Sequence, residues 1–217
     1  MKRTALLLLA SAFLFSCNNG GDSKSSGTDS TKKSSDSSTT KANNSLPMDS
    51  AAVTKRWMDY STPGDMQKMM ASWDGTWNTE FTWWDKPGAA PQKSTGTEVN
   101  KMVMGGRYQE SVHTSTMMGM PFEGHSTTGY DKLRNMFEST WADNMGTGIM
   151  KVSGPWDAAT RSITFTGKMM DPVSGQETDF KEVFKVVDDN TQQIEIYGKG
   201  ADGKEFKSME IHATRKK

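Results

Sequence analysis

Along most of the chain after Gly75, hydrophobic side chains fall on every second residue. The sets are Trp77, Phe81 and Trp83; Phe137 and Trp141; Met150 and Val152; Ile163, Phe165 and Met169; Phe180, Phe184 and Val186; Ile194 and Ile196; and Met209, Ile211 and Ala213. A period of two is that of a strand with one buried face. Turn signals separate these runs at Asp85–Gly88, Gly105-Gly106, Met118–Pro121, Asp131–Asn135, Asp143–Gly146, Asp157–Thr160, Asp171–Gly175, Asp188–Thr191 and Ala201–Lys204. Nine turns predict ten strands in an up-and-down antiparallel order. Such a sheet closes into a barrel or a strongly curved half-barrel, because closure removes exposed edges. Upstream, Ala51–Tyr60 reads as a short helix, and Thr62-Pro63-Gly64-Asp65 places a Thr cap, a first-turn Pro and an acid before a second helix reaching Ser72. The expected fold class is thus all-β, a barrel or half-barrel of about ten strands preceded by two short helices.

Folding the chain back on its own turns predicts a register. A two-residue loop at Gly105-Gly106 pairs Val103 with Tyr108, Lys101 with Glu110, Val99 with Val112 and Thr97 with Thr114. Centring the next hairpin on Gly119 sets Tyr130 beside Tyr108 and Phe122 beside Thr116. On this reading Tyr108, Phe122, Tyr130 and Trp141 wall the barrel interior, and Lys101, Glu110 and Glu182 supply its polar groups. The opposite face brings Glu98, His113 and His125 into one row, a donor set suited to a divalent metal.

The first 47 residues have a different pattern. Lys2 and Arg3 precede an apolar run from Ala5 to Leu14, too short to span a bilayer, and residues 1–16 read as a secretory signal. Leu14-Phe15-Ser16-Cys17 resembles a bacterial lipobox, which implies that Cys17 is diacylated and becomes the mature N-terminus. Several acyl chains anchor a protein to a membrane without spanning it. Between Asn18 and Ser45 the chain is almost wholly Ser, Thr, Lys, Asp, Asn and Gly. That composition cannot bury enough apolar surface to offset the entropy of ordering, so residues 17–47 are expected to form a lipidated, disordered tether and 48–217 the folded domain.

Charge narrows the partners. Twenty-six basic residues balance twenty-six acidic ones, so no net positive field exists to hold nucleic acid. The single cysteine excludes an internal disulfide. Seventeen methionines admit a Cu(I) carrier or an oxidation sink, but Met also fills gaps in an irregular core. No nucleophile elbow, phosphate-cradling glycine loop, Cys-His pair or helix-borne His-x-x-x-His gives enzymatic chemistry a foothold.

Two resemblances sharpen the picture. Gly75-Thr76-Trp77 at the first strand, with Arg215 on the last, is similar to the lipocalin and calycin barrels; Trp and Arg so placed can stack as a cation–π pair at the barrel floor. Thr62-Pro63-Gly64, Trp73–Trp77, Lys93–Thr97, Gly105-Gly106-Arg107, Met117–Gly124, Gly129-Tyr130-Asp131 and Met145–Gly148 resemble the bacterial family called domain of unknown function 1579, from about Trp57 to the end. That resemblance implies a lipocalin-like fold and carries no catalytic residues.

The expected protein is an extracytoplasmic lipoprotein on a bacterial membrane, most naturally the outer one. It is expected to be monomeric and cofactor-free, to bind or carry an apolar small molecule, and to have no enzymatic activity. The alternatives are a passive envelope protein presenting its Met117–Pro121 loop to a partner, and a metal-binding protein using Glu98, His113 and His125.

Overall fold

The structure, a computed structural model, describes residues 49–217. Cys17, the signal segment and the tether lie outside the described residues.

Two helices, α1 (Ser50–Ser61) and α2 (Asp65–Ala71), lead into strands β1 (Gly75–Trp83), β2 (Gln92–Val103), β3 (Tyr108–Met117), β4 (Met120–Asp131), β5 (Met136–Asp143), β6 (Met150–Gly154), β7 (Trp156–Asp157), β8 (Ser162–Asp171), β9 (Gln176–Asp188), β10 (Thr191–Lys199) and β11 (Glu205–Arg215). Every neighbouring pair is antiparallel; β1 pairs with β11 and β6 pairs with β8, so ten strands form a closed ring. The eleventh, β7, is the end of the expected sixth strand. Pro155 has no N–H for the ladder, and it divides that run into β6 and a two-residue piece that also pairs with β8.

The expected turns are found where strands end, and aspartate is the reason for many of them. Asp131, Asp143, Asp157, Asp171, Asp188 and Asp202 each accept, on Oδ1, the backbone N–H two residues onward. This local bond reverses the chain without help from the sheet.

The helix start differs in detail from the sequence reading. Thr62 closes α1, its hydroxyl donating to the Met58 carbonyl at 2.6 Å, rather than capping α2. Gly64 takes the N-cap position of α2, and its N–H donates to Gln67 Oε1 at 2.8 Å.

α2 and the segment after it plug one end of the barrel. Met70 is fully buried, and Trp73 packs against Phe137, Trp156 and Phe184. Gln109 Nε2 donates to the Met70 carbonyl at 2.9 Å and to Asp74 Oδ1 at 2.8 Å, while Gln67 Nε2 donates to the Tyr130 carbonyl at 3.1 Å. Arg215 lies over the Trp77 ring at 4.2 Å, as its place on the last strand predicts, and its guanidinium donates to the carbonyls of Ser72, Asp74 and Asp189. The plug thereby satisfies backbone groups that the strand ends and the turn after α2 would otherwise leave unpaired.

Candidate functional site

Above this plug the barrel is hollow. A cavity of about 430 Å³ lies between the strands, within the range of small-molecule sites. Met118 and Met145 are 66% and 47% exposed yet line it, so the cavity reaches solvent at the β3–β4 and β5–β6 loops.

Its two walls differ in chemistry. β8 to β11, with Phe81 of β1, present Phe165, Phe180, Phe184, Ile194, Ile196 and Ile211. β2 to β5 present mainly Glu98, Asn100, Ser111, Ser126, Thr128 and Ser139. Each wall holds exceptions. Glu182 of β9 and Gln192 of β10 stand among the apolar side chains, and Trp141 lies in the polar wall with Phe122 near it, the two rings 6.4 Å apart. Trp141 can lie flat there only because residue 124 is glycine: a Cβ at that position would sit 2.4 Å from the indole. Its Nε1 donates to Asp143 Oδ2 at 2.7 Å, and its ring meets His113 edge-on at 5.0 Å.

The expected site residues divide between the two faces. Trp141, Phe122 and Glu182 line the cavity. Tyr130 points inward but lies in the packed floor, edge-to-face with Phe137 at 5.0 Å. Lys101, Tyr108 and Glu110 are on the outer surface, and Tyr108 covers Gly129 there. Their mutual register is the expected one, with Val103 opposite Tyr108 and Lys101 opposite Glu110. The assignment of that face to the interior is corrected, and the reason is chemical: the more apolar face of β2 and β3, with Val99 and Tyr108, is the solvated one.

The second hairpin also departs from expectation, by one residue. Met117 pairs with Met120, and a two-residue turn holds Met118 and Gly119 at φ of 51° and 77°, the primed turn that matches strand twist. Tyr108 therefore faces Gly129, and Tyr108 and Tyr130 lie on opposite sides of the sheet. The same slip dissolves the proposed metal row. Glu98 and His113 face the cavity, while His125 is on the outside at 2.8 Å from Glu123. Among the described residues no group of three metal-binding side chains converges. Met169, expected inside, is 40% exposed at the far end of β8.

Asn100, Gln109, Ser111, Ser126, Thr128, Ser139 and Gln192 line the cavity without having been anticipated. A signal for the face was present. Folding β1 back on β2 about the Pro87-Gly88 turn sets Trp77 opposite Glu98, which carries Glu98 to the interior along with the tryptophan.

Burial shifts two of the ionisable groups inside. Burial pushes the His113 pKa down; Glu98 opposes this and His125 adds to it. Burial, with a smaller contribution from the charge of Glu98, pushes Glu182 up to about 7. Glu98 Oε2, Asn100 Oδ1 and Gln192 Nε2 are buried without a hydrogen-bond partner. Native proteins leave few such atoms, and here three of them surround one cavity.

A closed antiparallel barrel with an internal cavity and a Trp–Arg pair at its floor is a lipocalin-like fold. Residues 62–215 match the family described as protein of unknown function (DUF1579), and the chain belongs to it. Among solved structures it is similar to Rv2717c from M. tuberculosis, at 11% identity and a TM-score of 0.56, over 72% of this chain and 100% of that one. A redesigned β-barrel matches at 13% identity and a TM-score of 0.39, over 68% and 95%. At these identities the likeness concerns the fold alone. No curated protein matches the chain.

Proposed function

We propose that this protein is a membrane-tethered, extracytoplasmic binding protein that holds an apolar small molecule in the barrel, without enzymatic activity. The observation that carries the reading is the hollow between a largely apolar wall and a polar one, plugged at one end and reaching solvent at the other. A strand set that needed only stability would fill this space with side chains, since interiors are close-packed and cavities destabilise. Met117 and Met118 line the cavity edge, which favours a role for their loop as the mouth over a role as a separate contact surface.

The experiment is native mass spectrometry of protein extracted from its host, beside Ser126→Trp and Ser139→Trp, which fill the space. Wild type is expected to carry a co-purifying apolar guest that both variants lack. Repeated absence of a guest from wild type would count against binding. The tether is tested separately: Cys17→Ser is expected to move the protein from the membrane fraction to the soluble one, and retention would contradict the lipid anchor.

A further inference from the structure

Four ionisable side chains line the cavity, and three are acids: Glu98 on β2, Asp143 on β5 and Glu182 on β9, with His113 on β3 the fourth. No lysine or arginine is among its lining residues. The cations on the same strands as the two glutamates are on the outside: Lys93, Lys101 and Lys185 are exposed, and Lys181 pairs with Glu205. Asp143 is already occupied, accepting from the Trp141 indole at 2.7 Å and from the Met145 backbone at 2.9 Å.

Glu98 and Glu182 are not so provided for. The Glu98 side chain is 8% exposed, and its Oε2 receives no hydrogen bond; His113 Nδ1, at 3.7 Å, is too far to donate one. Burial opposes protonation of that imidazole, so it is a poor counter-charge at neutral pH. Glu182 is close enough to feel the charge of Glu98, and no hydrogen-bond donor reaches it among the described residues. Asn100 adds a buried, unpartnered acceptor oxygen to the same wall. Two desolvated carboxyl groups and an amide oxygen, with no resident cation, form an environment that lacks positive charge.

We infer that the guest is an amphipathic amine, its apolar body against the β8–β11 wall and its ammonium head between Glu98 and Glu182. A fatty-acid-like carboxylate would add a further negative charge beside these acids and is disfavoured. The inference rests on the binding reading above and names the ligand class.

The test is calorimetric titration of the intact protein at pH 8 with dodecylamine, dodecanol and dodecanoate, each below its aggregation concentration. The three share a tail and differ in the head. Dodecylamine is expected to bind at least about tenfold more tightly than dodecanol, and dodecanoate most weakly. Combining Glu98→Gln with Glu182→Gln is expected to bring the amine to the affinity of the alcohol and leave the alcohol unchanged. In wild type the amine preference is expected to shrink as pH falls from 8 to 5 and Glu182 takes up its proton, an arm that needs no variant. Equal binding of all three, tighter binding of dodecanoate, or a preference that ignores both pH and the double substitution would overturn the amine assignment while leaving the cavity a binding site. If none of the three binds, the binding reading itself falls.

Discussion

The two walls of this barrel obey different rules. Across β8 to β11 the inward residues are mostly aromatic and aliphatic, Glu182 and Gln192 apart, and Ile163, Phe165, Val186 and Ile211 are buried as alternation predicts. Across β2 to β4 the inward row is largely Glu, Asn, Gln, Ser, Thr and His, while Val99 and Tyr108 are 45% and 42% exposed outside. One half is a core in the usual sense. The other gives up packing energy to present polar atoms to an enclosed space, and this departure is where function is to be sought.

The comparison can be broken most forcefully by truncation on each side. Phe165→Ala is expected to cost about 3–5 kcal/mol in chemical denaturation, the usual penalty for emptying a buried aromatic position. Ser111→Ala, on the facing wall, is expected to change stability by less than about 1 kcal/mol. Equal losses would mean that both walls are core.

The misplaced acid gives the next largest effect. The Glu182 pKa is raised to about 7, so the folded state holds its proton more tightly than the unfolded chain does. The resulting stability is fully present below the unfolded value and is lost as pH rises through about 7. Glu182→Gln is therefore expected to stabilise the protein by roughly 2–3 kcal/mol above pH 7.5 and to have little effect near pH 4. Thermal melts across that range check it; a destabilised variant at high pH would show that the carboxylate has a partner.

Asn100→Leu removes a buried oxygen that nothing satisfies. On the proposed binding role it is expected to raise stability by about 1 kcal/mol and to weaken guest binding. A loss of stability would reverse that assignment. The smallest effect belongs to the β3–β4 turn, where Met118 adopts a positive φ of 51°. Met118→Asn suits that conformation and is expected to stabilise by a few tenths to about 1 kcal/mol; destabilisation would speak for a longer loop and another register.

Much of the fold was legible because it is written in local signals. Alternation gave the strands, and aspartates that bond two residues onward gave the turns. The site was less legible, for two physical reasons. A hairpin whose tip holds Met118-Gly119 can close with two residues or three, and that choice moved Tyr130, Phe122 and His125 to the other face relative to Tyr108. In addition, the usual rule that puts the more apolar face inside fails on β2 and β3, where the more polar face lines the cavity. The β2–β3 pairing was read correctly and then turned inside out. Counting from Trp77 across the first hairpin sets its orientation, because that tryptophan is 1% exposed and its face cannot be in doubt.

The hollow between the walls is the claim on which the rest stands, and xenon tests it most directly, since the gas settles against apolar surface that a hollow leaves uncovered, here the β8–β11 wall. A crystal of the protein under xenon pressure is expected to show bound atoms against Phe165, Phe180 and Ile196, and none when Ser139→Trp fills the space. A wild-type crystal without xenon there, its side chains meeting across the centre, would contradict it.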